Sequence, residues 1–364
     1  MWKNTAVTRR LGLLLPIIQG PFGGGLSSVD LAVAVSEAGG LGSFGVHHLA
    51  PEHILATAAA IRQRTQRPFA LNLWLPYQDS ENPQLSDQQF AEHIGMLKPY
   101  FTELGLPLPK KPEQFWPRYD DQIEALLAAR PAVFSFVYGV PSAEVLRRCK
   151  ELDIVTLGAA TTPDEALALE QAGVDMVVAS GFEAGGHRVS FLRPAEDSLT
   201  GTFALLPQVV DAVSIPVIAA GGIADARGVA AALMLGADAV QIGTAFLACA
   251  ESSATELHRN LLFSPAAKYT ALTKVFSGRL ARGIANRLMS ELKAHEHELP
   301  RYPIQYWLAG TLKAAAQAQG RSDLLALWSG QAAPLLKHRH ASELMQALER
   351  ETTALLARGG SSVR

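Results

Sequence analysis

Pro216-Val217-Ile218-Ala219-Ala220-Gly221-Gly222-Ile223 is followed, after an alanine-rich stretch, by Leu235-Gly236-Ala237-Asp238-Ala239-Val240-Gln241-Ile242-Gly243-Thr244-Ala245. Its two short apolar runs read as strands buried on both faces, and the stretch between them as a crossover helix. Gly236 falls where that helix must stop, because the left-handed conformation after a helix is nearly free for glycine. Each strand then runs into a glycine at its carboxyl end. Strand, loop, helix, strand, loop is the unit of a parallel sheet.

The same joint recurs at Glu37-Ala38-Gly39-Gly40-Leu41 and at Gln171-Ala172-Gly173-Val174-Asp175-Met176. Working outward predicts strands at Pro16–Gln19, Leu41–Phe44, Phe69–Leu73, Val133–Val137, Ile154–Leu157, Met176–Ser180, Val217–Ala219 and Ala239–Ile242. A doubly wound sheet would show the same joints. Eight units, with glycine-rich loops after the seventh and eighth strands, favour an α/β fold of the (β/α)8 TIM-barrel type.

Two regions exceed a plain barrel. Pro76 to Arg130 contains Pro107, Pro109, Pro112 and Pro117 among Phe115, Trp116 and Tyr119, so 76–119 reads as an inserted loop or lid after strand three, with a helix at Asp121–Ala129. Ala285–Arg358 reads as a helical cap on the substrate side of a barrel formed by 1–284, and 359–364 as a flexible tail. Met1–Pro16 lacks the pattern of a secretory signal, and no apolar run is long enough to span a bilayer. With 48% hydrophobic residues, 18% charged residues and a net charge of −2, the 364-residue chain has ample core and no basic field for nucleic acid or membrane. Its two cysteines, Cys149 and Cys249, suggest neither a disulfide framework nor a zinc site, which favours the cytoplasm.

Chemistry is expected at the carboxyl ends of the strands. Gly221-Gly222 and Gln241-Ile242-Gly243-Thr244 each read equally well as a tight turn, but together, on consecutive strands, they read as a phosphate cradle. The sixth strand leads into Ser180-Gly181-Phe182-Glu183-Ala184-Gly185-Gly186-His187, which brings a histidine of ordinary pKa near 6.5 behind two glycines, a suitable general base. His47, His48, His53 and His93 lack that setting and read as structural or solvated. Gly23, in Gln19-Gly20-Pro21-Phe22-Gly23-Gly24-Gly25, could admit a planar ring, and Asn72 offers a donor and an acceptor to a heterocycle's edge. Tyr302 and Tyr306, four residues apart, are candidates to line a substrate pocket from the C-terminal segment. No His-x-His or carboxylate cluster suggests a metal.

Pro16–Gly45, Thr161–Phe191, Ile215–Ser252 and Phe276–Asn286 resemble nitronate monooxygenases, formerly 2-nitropropane dioxygenases, and especially their bacterial class I members. Val133-Phe134-Ser135-Phe136 and Ser277-Gly278-Arg279-Leu280-Ala281-Arg282-Gly283 are similar to further family segments. The resemblance implies FMN held by Asn72, Gly185, Gly222 and Gln241–Thr244, with Gly23 near the flavin ring and His187 as the catalytic residue. The chain departs from the family pattern at Phe22, where methionine is usual, and at Val189, where glycine is. Ser180 replaces a usual glutamine, so this position keeps only a hydroxyl for the cofactor.

The expected activity is oxidative denitrification of an alkyl nitronate, or of a nitroalkane as well, with O2, giving a carbonyl compound and nitrite. His187 would remove the α-proton of a neutral nitroalkane, or attract an anionic nitronate when protonated. The expected partners are therefore small molecules, with a homodimer as the candidate assembly. Rival readings are an NAD(P)H-dependent flavin reductase of the enoyl-acyl-carrier-protein or quinone type, and a non-catalytic flavin-binding sensor.

Overall fold

The computed structural model describes residues 2–77 and 83–359; residues 78–82 of the expected insertion and 360–364 of the expected tail lie outside them. Eight parallel strands form one sheet: β1 (Ile17–Gln19), β2 (Gly42–Gly45), β3 (Phe69–Trp74), β4 (Val133–Val137), β5 (Val155–Ala160), β6 (Met176–Ser180), β8 (Val217–Ala220) and β9 (Ala239–Ile242). Their order is β1-β9-β8-β6-β5-β4-β3-β2. A parallel bridge between Ile18 and Leu41 joins the two ends of this series, so the sheet closes into a (β/α)8 barrel. A second, antiparallel sheet joins β7 (Gly186–His187) to β11 (Ala281–Ile284) and β11 to β10 (Thr270–Thr273).

Side chains alternate across a strand, and the two resulting faces have different tasks. Ile18, Ala70, Val133, Val155, Leu157, Met176, Val178, Ile218 and Ala239 pack together inside the barrel. Their neighbours Ile17, Leu71, Phe134, Val177, Val217 and Val240 pack outward beneath the helices. The two-residue period therefore turns Asn72 the same way as Ala70, Ser180 as Val178, and Gln241 as Ala239. Strand register then sets Asn72 beside Ser135, and Ala220 between Ser180 and Gln241. The helix Ala6–Leu11 lies at the other end of the barrel, where Ala6 N–H donates to the Asp238 carboxylate just before β9.

The long excursion after β9 ends in the helix Ala341–Gly359, which packs between the helices Val29–Glu37 and Ala226–Met234 and takes the eighth place in the outer ring. The excursion itself holds the helix Ile304–Ala318 and strands β10 and β11. The segment after β3 forms helices at Asp87–Gly95 and Lys98–Glu103, and its Phe90 and Phe115 rings pack on Trp307. Among the described residues no helix is long and apolar enough to cross a membrane.

Gly39, Gly173 and Gly236 have φ of 88°, 87° and 99°, the left-handed backbone that the three joints require. A fourth joint has the same hydrogen bonds, from Asp153 N–H to Lys150 O and from Ile154 N–H to Cys149 O, but places Asp153 at φ 53°. Its lack of glycine hid it from the sequence pattern. A Cβ at Gly173 would meet nothing within 4 Å, so only backbone strain opposes a side chain there. Gly173→Ala should lower stability by about 1 kcal/mol, and Asp153→Gly should raise it by a few tenths to about 1 kcal/mol. Urea unfolding midpoints of the two variants should move in opposite directions.

Candidate active site

A cavity opens at the carboxyl ends of the barrel strands, with about 1280 Å³ of empty space including the part open to solvent. Gly23, Asn72, Ser180, Gly185, His187, Gly222, Gln241, Gly243 and Thr244 all line it, as does Tyr306. Tyr302 stands one ring behind, 5.6 Å from Trp74 between centroids. It precedes the helix Ile304–Ala318, for which Pro303 is the N-cap, so the two tyrosines do not share one helical face.

The glycines at the cavity serve different purposes. Gly221 and Gly222 have φ of 103° and 73°, and a Cβ on Gly185 would come within 2.4 Å of Gly330 N. Gly243 is different: its φ is −97°, and a Cβ there would touch nothing within 4 Å. Neither backbone strain nor packing within the protein calls for glycine at 243, which leaves the cavity's own contents as the reason. Among the described residues, the N–H groups of Gly222, Ile223, Gly243 and Thr244 enter no backbone–backbone hydrogen bond. Four such donors around one cavity suit an anion.

Glu183 is occupied structurally. Its carboxylate accepts from Thr202 N–H at 2.8 Å and Thr202 Oγ1 at 2.8 Å, holding the histidine loop over the start of the helix Thr202–Ala212. From the other side, Gly330 N–H donates to Thr244 Oγ1 and Gln331 N–H to Glu183 O. Asn72 Nδ2 donates to Ser135 Oγ at 2.9 Å, which orients its amide.

The tautomer of His187 follows from its partner. The Ser277 hydroxyl donates to Arg279 O at 3.0 Å and accepts from Arg279 N–H at 3.2 Å. Ser277 Oγ lies 2.8 Å from His187 Nε2, and with the hydroxyl proton assigned to Arg279 O the ring nitrogen is the donor. His187 Nδ1 is then the basic lone pair, with no protein partner among the described residues. Burial, and next the charge of Arg279, push the imidazole down to about 3. The ring is therefore neutral near pH 7, and the fixed positive charge beside it belongs to Arg279. That guanidinium lies 4.1 Å from both the Tyr138 and Tyr302 ring centroids and behind Trp74.

His47 also belongs to this cavity. It is 1% exposed, stacked on Trp74 with centroids 4.0 Å apart, and sits where a Cβ on Gly23 would collide with its ring. Burial holds its pKa well below the ordinary value. The reading of His47 as merely structural or solvated overlooked its place just beyond β2. The rule that singled out His187, position after a barrel strand, applies equally to His47 and to Trp74 at the end of β3. Trp328, Ser329 and Gly330 were also missed, and no local signal marks them, since the chain returns to the mouth more than 80 residues after β9. Among the described residues no group of three His, Cys, Asp or Glu could hold a metal ion.

A closed parallel barrel with a histidine-bearing cavity at its carboxyl mouth defines a small-molecule site of the TIM-barrel enzyme class. Residues 5–351 match the family model described as nitronate monooxygenase. A probable nitronate monooxygenase of Staphylococcus aureus strain MRSA252 is 40% identical over 348 residues, covering 95% of this chain and 96% of the relative. The corresponding protein of strain MSSA476 is 40% identical over 343 residues, covering 93% and 94%. The solved nitroalkane oxidase of Streptomyces ansochromogenes superposes with a TM-score of 0.88 at 36% identity, over 98% of this chain and all of that one. FabK of Thermotoga maritima superposes at 0.75 and 27% identity, over 99% of each chain. The chain belongs to the nitronate monooxygenase family.

Four further histidines share the lowered state of His187: burial lowers His47 and His93, and takes His48 and His258 down to about 4. A folded-state pKa below the unfolded value near 6.5 means that the unfolded chain binds more protons. Stability is therefore complete above about pH 6.5 and falls as the pH drops towards the folded values. The loss should approach about 1.4 kcal/mol per pH unit for each such ring. Urea midpoints should fall from pH 7.5 to pH 5.5, and His187→Gln should make that fall shallower.

Proposed function

We propose that the protein oxidises alkyl nitronates with O2, using FMN, to a carbonyl compound and nitrite. What carries this reading is the neutral His187, with Nδ1 unpartnered at the cavity and the cationic Arg279 close behind. Family membership and the nitroalkane oxidase likeness support the nitronate as substrate class. The residues fit the cofactor. The N–H groups of Gly222, Ile223, Gly243 and Thr244 would take the phosphate, the space beside Gly243 would admit it, and Asn72, Ser180 and Gln241 would meet polar edges of the ring. FMN supplies the one-electron acceptor and the reaction with oxygen that no side chain can provide.

The protein's own part is binding, orientation and one proton. Trp74, Trp328 and Tyr306 enclose the apolar part of the substrate. For a neutral nitroalkane, His187 Nδ1 takes the α-proton, and Ser277 holds the ring in the tautomer that makes this possible. An imidazolium is costly beside Arg279 until the nitronate's negative charge develops. An already anionic nitronate avoids that cost, so it is the better substrate. A protonated His187 as the anion-attracting group does not agree with its depressed pKa. The two free, buried cysteines support the cytoplasm as the compartment.

Purified protein should carry a flavin absorbance that Gly243→Val abolishes without loss of the native circular dichroism. kcat/KM for a primary nitronate should exceed that for its nitroalkane at least tenfold. His187→Asn should keep the flavin but reduce nitroalkane turnover by about 10²-fold or more, the usual scale of a general base. Anaerobic bleaching of the flavin by NADH or NADPH, with none by an alkyl nitronate, would overturn the proposal in favour of a reductase. Unchanged turnover of both substrates by His187→Asn would remove His187 as the base.

A further inference from the structure

A second cavity lies against the first. Gly24, Leu26, Tyr306 and Trp328 line both, so they form the partition between them. The second chamber has about 790 Å³ of empty space, part of it open to solvent. Phe276, Leu324, Leu325 and Leu327 form an apolar side of its wall, and Ser253, Thr255, His258, Lys313 and Gln317 contribute polar groups. The Lys313 ammonium donates to Gly24 O at 3.1 Å, which fixes it at the partition.

One wall is the helix Ile304–Ala318, and there Ala309 and Gly310 face the chamber. A glycine inside a helix destabilises it relative to alanine. A Cβ on Gly310 would touch nothing within 4 Å, so no protein neighbour demands its absence. Gly243 shows the same combination in the first cavity. At the chamber's base His258 is 3% exposed and donates Nε2–H to Trp328 O at 3.0 Å, which holds the partition tryptophan by its backbone.

We propose that the second chamber is a tail subsite, taking the alkyl chain of a medium- or long-chain nitronate whose reacting carbon lies at His187. This rests on the nitronate reading. The side formed by Phe276, Leu324, Leu325 and Leu327 recognises methylene groups by burial, so selectivity rises smoothly with chain length rather than at one functional group. Each methylene that enters strengthens binding about fourfold, until the chain emerges into water. Tyr306 sets where the chain crosses, since it belongs to both chambers.

The test compares nitronates of nitroethane, 1-nitrobutane, 1-nitrohexane and 1-nitrooctane as substrates of the flavin-loaded wild type and Gly310→Leu. In the wild type kcat/KM should rise at least tenfold from the two-carbon to the eight-carbon substrate, through a falling KM. Gly310→Leu should erase that rise and change the two-carbon value by less than about twofold. Calorimetric titration with unreactive 1-octanol and ethanol reads the chamber without turnover: octanol should bind the wild type and lose at least tenfold affinity in Gly310→Leu. A flat chain-length series, or octanol binding unaffected by Gly310→Leu, overturns the subsite. Equal slowing of every substrate by Gly310→Leu also overturns it, because that marks the chamber as an entry path. If no nitronate is oxidised but octanol binding follows the predicted pattern, the nitronate reading fails and the apolar subsite stands.

Discussion

Two guanidinium groups buried inside the protein hold the loop that makes the site. Arg188 and Arg282 are 1% and 2% exposed. Arg188 donates to the carbonyls of Ser180, Gly181 and Ser198, and Arg282 Nε to the carbonyl of Phe182. Burying a charge costs several kcal/mol, which carbonyl dipoles and nearby carboxylates must offset. Burial first, and then the charge of Arg282, lower Arg188 to about 10, so it stays charged at neutral pH, and Glu165 and Glu183 counter the shift. Residues 180–182 are thereby pinned before the chain reaches Gly185 and Gly186. His187 then enters β7, pairs with Ala281 on β11 and meets Ser277.

That arrangement couples the barrel to the excursion that follows it. The histidine comes from the loop after β6, while the serine that sets its tautomer and the arginine that sets its charge come from the β10–β11 hairpin. Gly330 closes on Gly185 and Thr244 from still further along the chain. The mouth of the barrel is thus finished by residues that are not part of any βα unit, and the eighth helix forms only after they are in place along the sequence.

The barrel was legible because its rules are local. The strand pattern recurs eight times and the glycine joint three times, and each is readable within a short stretch of sequence. Asp153 shows the limit, since an aspartate in left-handed backbone carries no distinctive pattern. Asn72, Ser180, Gln241 and Gly243 were readable for the same reason: strand parity and strand ends define the interior of a parallel barrel. His47 was readable by that rule, although it lacks the pair of glycines that immediately precedes His187.

By itself, the sequence determined the parallel barrel, the end at which the cavity opens and the histidine that lines it, because these depend on short-range periodicity and on glycine's conformational freedom. Only the tertiary structure decided that His187 meets Ser277, that burial keeps its ring neutral, and that a second chamber opens beside Tyr306. Those properties arise from side chains about 90 to 140 residues apart in the chain, and from how deeply they are buried, which no local pattern encodes.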